Sequence, residues 1–160
     1  MAEAPEVQEF TTPDLTLLEV KGHVKSVQKE GYDDKTTFNA EGLIEATGNY
    51  ARLKRDSDGR ISSWGYDEYF VTWENNLPKT FKTRESDGSV SIDTYTYDES
   101  GLLVKSETNA EYPGDESWHG VYTYTYSPED FDAHGNWLKR QAKSVDGNNY
   151  TEARVIEYYE

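Results

Sequence analysis

The chain has 160 residues, enough for one domain with a buried core, and thirty-one acidic against sixteen basic residues give a formal net charge of −15. Such a surface repels phosphate backbones and anionic membranes, so nucleic acid is not an expected partner. The absence of cysteine excludes disulfides, thiolate zinc sites and a cysteine nucleophile, and we expect no cofactor.

Aromatic residues are abundant in a chain that is otherwise poor in hydrophobic ones. Thirteen Tyr, five Phe and four Trp make up 14% of the residues, whereas all hydrophobic types together reach only 34%. Aromatic and β-branched side chains fit the pleated, half-buried surface of a sheet, so this balance predicts an all-β domain. No apolar run approaches the ~20 residues of a transmembrane helix, and we expect no membrane span.

The N-terminal segment is polar and acidic, and residues 1–13 are predicted to form a flexible lead-in to a domain covering residues 14–160. Such a tether favours an exported protein whose leader lies outside this sequence, located in the periplasm, on the outer membrane as a lipoprotein, or outside the cell. A cytoplasmic location is the alternative. The next segment, Asp14–Val20, fits either one helical turn capped by Asp14 or the start of a strand.

Alternation of threonine with tyrosine dominates the remainder of the chain. It is clearest in Ile92–Tyr97 and in Val121–Tyr126, where residues two apart share one face of a strand. Glycine, asparagine and aspartate separate these stretches, and no segment has a helical apolar period. The pattern predicts an antiparallel meander of tandem hairpins with about eleven or twelve strands, forming an open twisted single sheet or a partly curled sheet.

One motif recurs along the chain: a large residue, an acidic or amide residue, two variable positions, glycine, one variable position and an apolar residue. Glycine supplies the positive φ that a tight hairpin loop needs, and the acidic or amide side chain can hydrogen-bond its own turn. The two outer residues then pair across the hairpin. The five copies place structural turns at Gly42, Gly59, Gly88, Gly101 and Gly135.

At this motif the chain resembles the YD repeats of the RHS family, whose Tyr-Asp-x-x-Gly hairpins follow one another in a long antiparallel sheet. The best copies are Tyr97–Leu102 and, with Phe for Tyr, Phe131–Asn136. The opening segment Leu17–Val27 is similar to the start of small exported YD-repeat proteins of Gram-negative envelopes, many of them lipoproteins of unknown function. Arg55 and Arg84 depart from the pattern by replacing its tyrosine, and the array is too short for a closed cocoon.

Aromatic side chains are also the main candidates for ligand binding. Exposed tyrosine and tryptophan beside carboxylates form platforms on which sugar rings stack, so a glycan or another envelope protein is the expected partner. The candidate residues are Trp118, Tyr122, Tyr124, Tyr126 and Trp137. The competing interpretation is that these rings are the core, since few aliphatic residues are present to build one.

Catalytic and metal-binding motifs are absent from the sequence, so we expect a non-catalytic binding or scaffold protein without a metal site. The three histidines lack metal-ligand spacing, and turn chemistry accounts for the acidic loops. Two alternatives stay open. A structural module would associate through its sheet edges, whereas for the protein in general we expect a monomer or a weak dimer in solution. A small glycan hydrolase would need a concave pocket with two close carboxylates, one with a raised pKa.

Overall fold

The computed structural model describes residues 10–45 and 50–160, in which it places one short helix, a 3₁₀ turn at Pro128–Asp130 and eleven strands. All strand pairs are antiparallel and belong to one open sheet, so the predicted all-β fold class is confirmed. The helix is α1 (Pro13–Leu17). The strands are β1 (Val24–Lys29), β2 (Lys35–Thr37), β3 (Lys54–Arg55), β4 (Ile61–Trp64), β5 (Tyr69–Glu74), β6 (Leu77–Arg84), β7 (Val90–Tyr97), β8 (Leu103–Glu111), β9 (Trp118–Thr125), β10 (Lys139–Ser144) and β11 (Tyr150–Tyr158).

The sheet is a meander with one exception at its N-terminal hairpin. Its strand order is β2-β1-β11-β10-β9-β8-β7-β6-β5-β4-β3, so every strand from β3 to β11 pairs with its neighbours in sequence. The β1–β2 hairpin instead joins β11, and Val27 pairs with Ile156. The two edges of the sheet are therefore β2 and β3, which follow each other in the chain but lie at opposite ends of the order.

The sheet curls strongly about the segment that follows α1. β1 and β4 are eight steps apart in the strand order, which is roughly 40 Å in a flat sheet at the usual strand spacing. Nevertheless Val24 and Val27 of β1 belong to the same hydrophobic cluster as Ile61 and Trp64 of β4, together with Leu15 of α1. The two ends of the sheet therefore approach each other, and the core occupies the concave face.

The helical turn at the start of the domain is capped by Thr12, not by Asp14 as the sequence suggested. Thr12 has extended backbone angles, and its Oγ1 accepts a hydrogen bond of 3.1 Å from the Leu15 amide. Proline follows the cap, as is common at the first helical position. Asp14 is instead fully buried and forms an ion pair with Arg55. Of the two alternatives for this segment, the helical turn is therefore the one observed.

The predicted lead-in falls mostly on residues 1–9, which lie outside the described residues. Phe10 packs against the hydrophobic cluster, and its ring stacks on His23 with centroids 4.4 Å apart. Thr12 Oγ1 also donates a 2.6 Å hydrogen bond to the Gly42 carbonyl, which attaches the helix cap to the first repeat turn. Residues 10–13 thus contribute contacts to the domain.

All five repeat glycines lie at chain reversals with φ between 80° and 91°. In each copy the glycine amide donates to the carbonyl three residues earlier, at 3.0 Å. In four copies the side chain of that earlier residue also caps the loop; Asp98 Oδ1, for example, accepts from the Ser100 and Leu102 amides. The copy at Gly88 has Glu85 at this position, and there Asp87 caps the Ser89 amide.

The predicted cross-strand pair is present in every copy of the motif. The first and last residues of each copy are direct partners across the hairpin, which fixes one register for all five loops. The pairs are Phe38–Ile44, Arg55–Ile61, Arg84–Val90, Tyr97–Leu103 and Phe131–Trp137.

Replacing Gly42 with alanine is expected to destabilise the protein more than the same change at Gly59. Both glycines have φ of +80°, so both substitutions incur roughly 1–2 kcal/mol of left-handed strain. A Cβ at Gly42 would lie 2.8 Å from Thr12 Cγ2, whereas Gly59 faces open space, so overpacking adds about 1–3 kcal/mol only at Gly42. Urea denaturation of the two variants measures the difference, and equal losses would contradict the expectation.

Candidate functional site

The concave face carries a patch of tyrosine and small polar side chains on its central strands. Strand alternation places Tyr95 and Tyr122 on this face, and the register joins both to Ser106. We call these three residues the Tyr95 row. The neighbouring Asp93 row consists of Asp93, Thr108 and Gly120, which pair in the same way. The two rows cover β7, β8 and β9.

A cavity of about 380 Å³ lies between this polar patch and the core, within the size range of small-molecule sites. Its apolar side is formed by Leu17 and Leu18 at the end of α1 and by Trp64, Val71 and Phe81 of β4, β5 and β6. Its polar side is formed by Asp93, Tyr95, Tyr97, Ser106, Thr108, Tyr122, Tyr124 and Tyr150. The curl of the sheet therefore gives the cavity one apolar wall and one hydrogen-bonding wall.

A second cavity of about 590 Å³ adjoins the first one. Both are bordered by Leu18, Tyr50 and Trp64, so they form one continuous groove beside α1. The Tyr50 ring is tilted against that of Trp64, with ring centroids 5.2 Å apart, and burial raises the pKa of its hydroxyl, which therefore stays protonated at neutral pH.

Four of the five charged side chains that line the first cavity neutralise one another. Arg140 is 4% exposed, and its guanidinium donates to Glu152 at 3.1 Å and to Glu19 at 3.0 Å. Burial opposes the charge of Arg140, but the two carboxylates outweigh it and raise its pKa. Lys29 Nζ lies 3.4 Å from Glu152. The floor of the cavity therefore offers no unpaired charge to a ligand.

A second guanidinium, Arg154, attaches the segment after α1 to the sheet. It donates to the backbone carbonyls of Trp137, Leu18 and Glu19 at 2.8–2.9 Å. Burial lowers the pKa of Arg154 to about 10, which leaves it charged at neutral pH. Its guanidinium carbon lies 3.7 Å from the Trp137 ring centroid, so this side of the site is closely packed.

Several tyrosine hydroxyls of the concave face are already hydrogen-bonded within the protein. Tyr97 donates to the Pro78 carbonyl at 2.7 Å, and Tyr124 shares a 2.9 Å hydrogen bond with Ser106. Tyr126 donates to the Leu103 carbonyl at 2.6 Å and accepts from Arg140 at 3.1 Å. Burial raises the pKa of Tyr126 to about 12. These hydroxyls hold the sheet and are not available to a ligand.

Three other hydroxyls in the cavity, those of Tyr95, Tyr122 and Tyr150, have no hydrogen-bond partner within residues 10–45 and 50–160. Tyr122 and Tyr150 meet edge to face, with ring centroids 5.6 Å apart. Burial raises the pKa of Tyr95, and it raises that of Tyr150 to about 12. At neutral pH the Tyr95 and Tyr150 hydroxyls are therefore protonated donors, and all three side chains line the cavity.

Asp93 is the carboxylate of the polar wall. Its Oδ1 accepts a 2.5 Å hydrogen bond from Thr108 Oγ1, and its Oδ2 has no partner among the described residues. Burial raises the pKa of Asp93 against the opposing effect of the Thr108 hydrogen bond. A half-buried carboxylate with a free oxygen is thus placed beside the unpartnered tyrosine hydroxyls.

The five candidate aromatic residues occupy different places. Tyr122 and Tyr124 line the first cavity. Tyr126 lies beside its floor, with its hydroxyl occupied, and Trp137 is 2% exposed between the sheet and the segment after α1. Trp118 is 45% exposed at the start of β9, on the concave face but outside the first cavity. Structure thus brings two of the five together and gives two others a packing role.

Asp93 and Tyr150 complete the site but are not among the sequence candidates. Asp93 shares its strand face with Tyr95, so the alternation that identified the tyrosines also indicated this carboxylate. Tyr150 reaches the cavity because the β10–β11 hairpin places it opposite Ala142, which pairs with Tyr124. The proximity of Tyr150 to Tyr124 depends on the register between β9, β10 and β11, which the sequence pattern did not predict.

No group of three or more metal-ligating side chains is assembled in the described part of the chain. Residues 10–45 and 50–160 contain no helix with the length and apolar character needed to cross a membrane. The chain matches no protein-family model, no curated protein and no solved structure. The resemblance to YD repeats therefore stays a prediction.

Proposed function

We propose that the protein is a non-catalytic binding protein for a small, uncharged, polyhydroxylated ligand of the carbohydrate class. One observation carries the proposal: the concave cavity sets three unpartnered tyrosine hydroxyls and the free oxygen of Asp93 opposite an apolar wall. A sugar ring has the same two-sided character, with hydroxyls at its rim and apolar C–H faces.

The charges of the cavity support a neutral ligand. Arg140 is satisfied by Glu19 and Glu152, and Lys29 lies against Glu152, so an anion would have to displace an existing ion pair. A cationic ligand would meet Asp93, but it would also meet the guanidinium of Arg140 at the floor. Because buried polar groups bind a matching ligand by hydrogen bonds, a hydroxyl-rich molecule suits this lining best.

The sheet edges support binding in the cavity over association through strands. β2 has three residues and β3 has two, and both carry lysine, at Lys35 and Lys54. Short, charged edges are the features by which sheet proteins discourage edge pairing. In line with the YD-repeat resemblance, we place this binding role in the cell envelope or outside the cell, with a glycan or another envelope protein as the partner.

A glycan hydrolase is the second candidate, because Asp93 combines a raised pKa with a position in a concave cavity. The other two carboxylates of the lining, Glu19 and Glu152, are both engaged by Arg140, and Glu152 also by Lys29, so both are poorly placed to act as a base or nucleophile. Incubation with short glycans separates the two functions: a binding protein returns the glycan intact, whereas a hydrolase releases shorter products.

The proposed function is tested by calorimetric titration with a panel of neutral mono- and oligosaccharides, followed by variants on the tightest binder. Asp93→Asn and Tyr122→Phe are each expected to weaken binding about tenfold, since the first exchanges the free acceptor oxygen for an amide group and the second removes a hydroxyl. Tyr66→Phe is the matched control, because Tyr66 is 71% exposed and lies outside the cavity. No binding across the panel, or equal losses in all three variants, would contradict the proposal.

Asp93→Asn is also expected to raise stability at neutral pH while it weakens binding. Because the folded-state pKa of Asp93 is raised, the folded state holds this proton more tightly than the unfolded chain. The free energy of unfolding therefore falls as pH rises from the ordinary aspartate pKa through the raised value. Asparagine removes that loss, so urea denaturation measures a gain for this variant. Asp67→Asn, at an exposed turn, is expected to change neither property.

A further inference from the structure

Trp118 continues the concave face beyond the cavity. The register pairs Ala110 with Trp118 and Ser91 with Ala110, so these three residues form the next row of the same face, here called the Trp118 row. It is two residues from the Asp93 row along each strand, which is about 7 Å. Apart from Asp93 and Trp118, the residues of these two rows are therefore small: Ser91, Thr108, Ala110 and Gly120.

The position of the Trp118 ring depends on Gly120. A Cβ at Gly120 would overlap the ring, so the indole lies directly on this glycine and parallel to the run of the strand. The side chain is 45% exposed. Among the described residues its ring has no aromatic or cationic partner, and its Nε1 donates no hydrogen bond. The indole is therefore an open apolar surface over the Gly120 end of the Asp93 row.

We propose that Trp118 is a second subsite of the same binding site and that the ligand is an oligosaccharide instead of a free monosaccharide. One sugar unit occupies the cavity against the Asp93 row, and the next lies across Gly120 on the face of Trp118. The inference rests on the proposed function, because it extends the cavity along the face that binds the first unit. The indole covers Gly120, which lies two strands and roughly 10 Å from Asp93 in the same row, with Thr108 between them.

The test is a titration of the monomer, dimer and trimer of malto-, cello- and chito-oligosaccharide series into the wild type, Trp118→Ala and Tyr112→Ala. Tyr112 is a matched control, being 43% exposed in the neighbouring loop. In the wild type and in Tyr112→Ala, the dimer is expected to bind about tenfold more tightly than the monomer, which equals about 1.4 kcal/mol. In Trp118→Ala this gain is lost, while affinity for the monomer is unchanged.

The outcomes separate this inference from the function on which it rests. Monomer binding with no gain for longer chains, or a gain that persists in Trp118→Ala, overturns the second subsite and leaves the cavity function standing. Failure of every sugar to bind overturns both. Because Trp118 is half exposed, the variant is expected to fold, and its thermal unfolding midpoint checks this directly.

Discussion

Replacing Arg140 with methionine is expected to lower the free energy of unfolding by about 3–5 kcal/mol. Methionine can fill the space of the arginine stem, but Glu152, whose side chain is 9% exposed, then loses its closest cation. Glu19 loses the same partner, and Tyr126 loses one of its two hydrogen bonds. Glu152 then keeps the exposed Lys29, at 3.4 Å, as a counter-ion, and because breaking a buried ion pair is costly, the loss greatly exceeds that of removing a surface charge. Urea denaturation measures it.

Two further variants isolate the buried charge as the cause. Lys143→Met lies on the same strand at an exposed position and is expected to change stability by less than about 0.5 kcal/mol. The double variant Arg140→Met, Glu152→Leu removes both members of the main pair and is expected to recover a large part of the loss. If the double variant were as unstable as the sum of its single changes, uncompensated charge would not explain the effect.

The hairpins of this fold follow from local sequence signals. A glycine with positive φ, an acidic or amide residue three positions earlier and two large flanking residues are all readable within one copy of the motif. For that reason the reversals at Gly42 and Gly135 occur where the sequence placed them, although the two glycines are 93 positions apart. The pairing of Tyr97 with Leu103 is equally local, since the loop length sets its register.

The same local signals do not predict which distant strands pair or how the sheet curls. The pairing of β1 with β11 joins Val27 to Ile156, and no local pattern distinguishes β11 from β3 as the neighbour of β1. The sheet curls because of this pairing and because residues of both sheet ends pack against the apolar side chains of α1. The first cavity exists only because of the curl, so its lining was not predictable from hairpins alone.

The candidate site shows the same division. Alternation correctly puts Tyr122 and Tyr124 on one face, but it does not indicate which rings a neighbouring segment covers. Trp137 is covered by the segment after α1, because Arg154 fastens that segment to the sheet through three backbone carbonyls. The position of Asp93 could have been predicted from strand alternation, whereas that of Tyr150 depends on the register of a different hairpin.

Arg55 and Arg84 both stand where the repeat has tyrosine, yet their replacement is expected to have very different effects. Arg55→Met leaves Asp14, which is 0% exposed, with the Ile44 amide as its one hydrogen-bond donor among the described residues, and is expected to cost about 3–5 kcal/mol. Arg84 makes no ion pair with any described residue and only borders the Phe70 ring, at 5.5 Å. Arg84→Met is therefore expected to cost about 0.5–1 kcal/mol at most.

The partner that is removed decides the size of the effect at this ion pair. Arg55 donates to both oxygens of Asp14, at 2.7 and 2.8 Å, but its own side chain is 32% exposed and can turn toward water. Asp14→Asn keeps an acceptor for the Ile44 amide and is expected to cost less than Arg55→Met, about 1.5–3 kcal/mol. In a double-mutant cycle the two losses then sum to more than the loss of the double variant. Additive losses would mean that the pair does not stabilise the fold, and the arginine of this copy would have no structural reason to replace tyrosine.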